Sequence, residues 1–446
     1  MPRTLARPVI DPRRVHEALL KTLALMDFFV AATAISGGVM MLLRPRGADA
    51  FVPAAWLEGS PFLDAVVPGL ALLVAVGGTS LAAAVYALRR TEHAPLGSVG
   101  SAAVLLAFLT VELTVVPGVH RLQLLYLALA GAVVLVAALA GARPAQLVPA
   151  VRSRLAAHPV GAFVAVVFTT TWVPHVPQWA EVTGHMTRLP GWATAVGMAA
   201  MLIGGPVGAA ALVLASTEGR RGLAAWGRSL IRWRVSWKWY AVAILPYPII
   251  AALSIVGADL VRGDPSHLPV YFEARVAEMA AGLGASGTSL GLLLPLLVVY
   301  GLLVVPLFEE PGWRGFALPR LQQTYGPITA AVALGATWAF WHLPNFFIPG
   351  SPHYGMPFSG FLIEVVGLSV LMTWIFNATR GSVLVAMLVH GSIILASVFL
   401  PAGLPVATHD LLAFWISVVL GAVAVVALVT VVGPRLGQRT AEPPAS

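Results

Sequence analysis

Two adjacent carboxylates, Glu309 and Glu310, close an apolar run that extends from Leu290 to Leu307, and Arg314 follows four residues after Glu310. An ionisable side chain in a membrane-length apolar segment costs roughly 2.5–3.5 kcal/mol on insertion scales, so an adjacent pair calls for a function. If the helix continues, Arg314 falls against Glu310 and leaves Glu309 freer to act. Pro311 cannot donate to the carbonyl of Leu307, which predicts a kink or a restart that turns the pair toward a cavity. His342 and His390 interrupt two later apolar segments. Either histidine alone reads as a packed core group. Taken with Glu309, Glu310 and Arg314 they form a set able to activate water, by general-base catalysis or through a metal.

The elements that must position these groups are membrane helices. The chain has 446 residues, 58% hydrophobic and 10% charged, with a mean hydropathy of +0.86. That much apolar surface cannot be hidden in one soluble core, so the expected fold is all-α, a polytopic transmembrane bundle. Windows of about twenty apolar residues place about twelve spans, near 19–43, 62–88, 98–117, 122–142, 159–177, 192–216, 237–260, 290–309, 326–343, 360–378, 382–400 and 410–433. The first is read as an uncleaved span rather than a signal peptide, because its apolar core is too long. With the amino terminus inside, 21 of the 27 Lys and Arg residues fall in inner segments. This bias predicts a multi-pass protein of the cell membrane with both termini cytoplasmic. The net charge of +8 and pI near 10.3 are therefore topology signals scattered through loops, and no nucleic-acid partner is expected. The chain contains no cysteine, which excludes disulfides, thiolate metal sites and thiol nucleophiles.

The motifs resemble those of a known family. Glu309-Glu310-x-x-x-Arg314, then Trp338-x-x-x-His342, then His390 are similar in order and spacing to the three signature motifs of the CAAX-protease and bacteriocin-processing (CPBP, or Abi) family. Gly315, Pro344 and Asn377-x-Thr379-x-Gly381-Ser382 accompany them. The resemblance covers roughly 160–400. It implies an eight-span intramembrane endopeptidase core of the CAAX prenyl protease 2 type, acting on a membrane-associated peptide or protein, CAAX-like or bacteriocin-like. It also implies roles: Glu309, partnered by His342, takes a proton from water, His390 stabilises the oxyanion or helps to hold a metal, and Glu310 with Arg314 supports the site. Zinc is admitted rather than required. Glu309, His342 and His390 could ligate it, but they come from separate spans without a local His-Glu-x-x-His helix. Two positions depart from the family pattern. Trp338 stands where Phe is usual, and Ile394 stands where an Asn often follows the third-motif histidine. The second leaves Asn377, a backbone N–H or His390 to stabilise the oxyanion, or leaves activity weak or lost.

The remaining segments carry less chemistry. A boundary is expected near 143–158, which separates a four-span region, 1–150, of unassigned role from the core at 155–433. Asp27, Asp64 and Glu112 in that first region form no catalytic set and read as interfacial or interhelical hydrogen-bonding groups. Arg220, Arg221, Trp226, Arg228, Arg232, Trp233 and Arg234 describe an amphipathic helix on an anionic membrane surface. Residues 268–279 are expected to form a short interfacial helix, His353 a solvated loop histidine, and 434–446 a disordered polar tail. Two other classes compete with an enzyme. One is a catalytically silent scaffold or immunity protein with a buried polar network, which Ile394 favours. The other is a proton-coupled transporter, for which no repeat of the acidic motif is found in the first half.

Overall fold

The computed structural model describes residues 11–45, 57, 60–115, 121–141, 144–263, 295, 298–349, 351, 353–399 and 410–438. Among these residues there is no strand, only one antiparallel bridge between Phe62 and Met186. The fold is the expected all-α membrane bundle, and the chain is a multi-pass membrane protein. Eight helices among the described residues are long and apolar enough to cross a membrane. They are α1 (Pro12–Leu43), α2 (Val66–Leu88), α3 (Ala94–Val115), α4 (Arg121–Leu139), α6 (Pro159–Val182), α10 (Trp237–Arg262), α14 (Phe358–Ala378) and α16 (Leu411–Val432), with the shorter α5 (Pro144–Ala157) between α4 and α6 in sequence.

The other expected spans depart from the simple pattern. The segment near 192–216 is broken into α7 (Gly191–Gly204) and α8 (Pro206–Thr217), with a bend of 64° at Gly204-Gly205-Pro206. Counting the bent pair gives a ninth span. α13 (Pro327–Trp341) and α15 (Val383–Phe399) are shorter apolar helices. The expected span near 290–309 lies partly outside the described residues. The expected interfacial helix at 268–279 lies wholly outside them.

Two compact units divide the chain. The first, residues 1–154 with 180–190, is built on α1 to α4 around Leu23, Val76, Leu105 and Val133. Two of its acids, Asp27 and Asp64, are satisfied locally, as expected of hydrogen-bonding groups. Asp27 accepts hydrogen bonds from Ser98 Oγ (2.6 Å) and Ser101 Oγ (2.7 Å). Asp64 is paired with His185 Nδ1 and accepts the amide of Val66 (3.0 Å).

The second unit, residues 155–179 with 191–446, holds the motif residues around a core that includes Phe163, Trp313, Phe316, Leu334 and Met372. Helix α9 (Gly219–Leu230) is the expected basic amphipathic element. α11 (Val305–Gly312) passes through a π-helical turn at Trp313–Ala317 into α12 (Leu318–Tyr325). Gly326 at φ +75° then reverses the chain, and Pro327 starts α13 with a φ already suited to a helix. A second reversal joins α14 to α15. There Gly381, also at positive φ, donates its amide to Phe376 O (2.7 Å), and the Ser382 hydroxyl accepts the Val385 amide (3.2 Å). The tail is not wholly free, contrary to expectation. Leu436 is fully buried and its carbonyl accepts from Asn377 Nδ2 at 3.1 Å; residues 439–446 lie outside the described residues.

Small residues let the helices approach closely enough for polar side chains to meet. A methyl group on Gly312 would overlap the carbonyl of Pro206 on α8, and one on Gly391 would overlap the Leu302 backbone. Gly312→Ala is therefore expected to destabilise the protein by about 1–3 kcal/mol, seen as a lower thermal midpoint in detergent. Gly421→Ala on α16, where nothing lies within 4 Å, is expected to leave the midpoint unchanged or slightly raised.

Candidate active site

Pro311 does not break the helix. The chain runs helically through the motif, and the π turn at Trp313–Ala317 absorbs the irregularity by widening the coil. The carbonyl of Pro311 accepts the indole N–H of Trp226 on α9 at 2.9 Å. Gly315 makes room for that indole, since a Cβ there would lie 2.9 Å from Trp226 Nε1. Trp226, expected at a lipid surface, is instead turned onto the motif helix.

Successive residues of a helix point about 100° apart, so the two carboxylates face different partners. Glu310 is fully buried, and its Oε1 accepts from Arg314 Nη1 (3.0 Å) and from His390 Nδ1 (2.8 Å). Arg314 is also fully buried. Among the described residues, Glu310 Oε2 and Arg314 Nε and Nη2 have no hydrogen-bond partner. Glu309 is half-buried, and its Oε2 accepts the indole N–H of Trp338 at 2.8 Å. His342, at the end of α13, donates from Nδ1 to the carbonyl of Trp338 at 2.9 Å. Because that partner is an acceptor, the proton sits on Nδ1, and Nε2 of the neutral ring carries the lone pair.

The three motifs are thus brought together around Trp338. Its ring stacks under the Arg314 guanidinium (4.3 Å to the centroid) and lies edge-on to His390 (5.2 Å between centroids) and near His342 (6.0 Å). Asn377, weighed as an oxyanion donor, is occupied elsewhere by Gln322 Oε1 (2.9 Å) and Leu436 O. Ile394 lies one helical turn beyond His390 against Gly301, whose added Cβ would meet Ile394 Cγ2 at 3.4 Å.

Two further histidines belong to this neighbourhood. His175 on α6 is held by Thr171 O at Nδ1 (2.6 Å) and Asn345 Oδ1 at Nε2 (3.1 Å). The test that marks His342, a histidine within an apolar segment, would have flagged it. His353 was expected to be solvated, but it is buried among Phe346, Phe361 and His342, with ring centroids 5.3, 4.8 and 5.2 Å away. The turn-rich sequence of its loop hides the aromatic cage that Phe346 and Phe361 supply from either side.

Among the described residues no three His, Asp or Glu side chains form a group that could hold a metal ion. Glu310 Oε1 already takes two donors, and Nδ1 of both motif histidines is engaged.

Residues 291–396 match the family model described as type II CAAX prenyl endopeptidase Rce1-like. All three motifs lie inside this segment, whereas residues 160–290, expected to share the resemblance, lie outside the match. CAAX prenyl protease 2 of Methanococcus maripaludis is 31% identical over 100 residues, 21% of this chain and 36% of the relative. The match therefore spans about a third of that relative's length.

Beside these motif residues, burial and the neighbouring His342 push His353 down to about 3 from its ordinary 6.5. The folded protein keeps this ring neutral while the unfolded chain takes up a proton below 6.5. Its contribution is full above that value and is lost progressively as the pH falls toward 3. Between about pH 7.5 and pH 5 the thermal midpoint of the wild type is expected to drop, and His353→Phe, which cannot titrate, is expected to drop less.

Proposed function

We propose that the chain is an intramembrane endopeptidase that hydrolyses a peptide bond of a membrane-associated substrate with a Glu/His-activated water. The observation that carries this reading is the convergence on Trp338 of Glu309, Glu310 with Arg314, His342 and His390, from three segments far apart in sequence. The match to CAAX prenyl endopeptidases over the same residues supports it.

The hydrogen bonds support the following roles. Glu309 has one oxygen committed to Trp338, and its other oxygen takes the proton of the attacking water. The Nε2 lone pair of His342 accepts from the same water and orients it. His390, backed by the Glu310 carboxylate, presents Nε2–H to the developing oxyanion. Arg314 holds Glu310 in register through its hydrogen bond, and its remaining N–H groups add positive potential at the carbonyl. The substrate class is a peptide reaching the bilayer through a lipid anchor or an apolar segment, CAAX-like in the first case and bacteriocin-like in the second. Both termini are assigned to the cytoplasmic side of the cell membrane.

Purified protein in liposomes is expected to cleave such peptides, with Glu309→Gln and His342→Ala lowering kcat/KM by about 10²- to 10⁴-fold. Parallel assays on prenylated and unprenylated versions of one peptide test the lipid preference. Cleavage unchanged in Glu309→Gln defeats the reading. The apolar Ile394 beside the site favours a second reading, a silent scaffold, for which the wild type would cleave nothing while still binding a membrane partner.

A further inference from the structure

Trp338 is 3% exposed, and burial alone would be served by any aromatic ring of suitable size. Indole differs in carrying one N–H, which must find an acceptor when buried. Here the acceptor is not a main-chain carbonyl but Glu309 Oε2, at 2.8 Å. The ring plane is fixed from one side by the Arg314 guanidinium at 4.3 Å, and Arg314 is itself anchored by Glu310 at 3.0 Å. The main chain of the same residue accepts His342 Nδ1 at 2.9 Å. One residue therefore holds a carboxylate with its side chain and an imidazole with its backbone.

We propose that Trp338 is the positioning residue of this site, its indole N–H fixing which Glu309 oxygen faces the water and its carbonyl fixing the tautomer and direction of His342. It touches neither substrate nor water in this account. The catalytic consequence rests on the peptidase reading above; the bond between indole and carboxylate does not. The two functions separate on mutation, because a side-chain change at 338 removes the grip on Glu309 and leaves the carbonyl that holds His342.

The test replaces Trp338 by Phe and, through site-specific incorporation, by 3-benzothienylalanine, which keeps the bicyclic shape and has sulfur in place of N–H. Both are expected to lower kcat by about 10- to 100-fold, the worth of a hydrogen bond to a charged group, with KM within about twofold and an unchanged melting midpoint for the benzothienyl variant. A purely packing role predicts wild-type kcat in the benzothienyl variant and overturns the proposal. A second readout needs no activity. The Trp338 indole N–H resonance, assigned by its disappearance in Trp338→Phe, is expected to move in Glu309→Ala. An indole resonance that does not respond overturns the proposal even if the protein cleaves peptides. A responsive resonance in a wild type that cleaves nothing supports the bond and refutes the peptidase reading instead.

Discussion

Everything in the polar centre depends on one buried carboxylate. Glu310 has no exposed surface, and an isolated charge there would cost far more than the fold could bear. Arg314, one helical turn later, and His390, on another helix, both donate to the same oxygen. Removing one partner of such a pair leaves an uncompensated charge and typically costs about 3–5 kcal/mol. The interaction therefore works as a constraint more than as a net stabiliser. It ties α11 to α15, and through the Arg314 guanidinium it sets the plane of Trp338 on α13.

That constraint can be met only because the backbones approach unusually closely. Gly391 against Leu302 brings α15 to the motif helix beside His390, and Gly312 against Pro206 seats the same helix on α8. The π turn after Gly312 then rotates Arg314 relative to the residues before it, which lets a guanidinium four residues from Glu310 also lie under an indole from α13. Trp226 caps the Pro311 carbonyl beside this turn. Polar register, small residues and helix irregularity are thus consequences of the same requirement.

The parts legible in the sequence were those whose chemistry is costly in an apolar setting. Glu309, Glu310, His342 and His390 stand out because ionisable groups in spans need a reason, and the four-residue spacing to Arg314 is enough to foresee its pairing with Glu310. Which carboxylate faces which histidine was not legible, since it follows from helix rotation and from contacts between distant segments. His353 was misjudged because its own loop is full of turn residues, while Phe346 and Phe361, which bury it, belong to the neighbouring elements. Leu436 likewise finds its place only through Asn377 and a cluster with Ala331 and Val370. Hydropathy windows locate the apolar segments but do not separate a full span from a short helix such as α13, or from a pair bent by 64°.

The two units show how satisfied and unsatisfied polarity differ in meaning. In the first, each oxygen of Asp27 has a serine hydroxyl, and Asp64 has an imidazole and a main-chain amide. Nothing in those two clusters is left over, which is what a structural role requires. In the second, Glu310 Oε2 and two nitrogens of Arg314 are buried without a partner among the described residues, and Glu309 retains an oxygen beyond its bond to Trp338. Leftover donors and acceptors at the centre of a closely packed bundle are tolerable where a substrate and its water complete them. This contrast supports the proposal that the chemistry belongs to the acidic pair and not to Asp27, although Glu310 and Asp27 are both carboxylates buried in apolar helices.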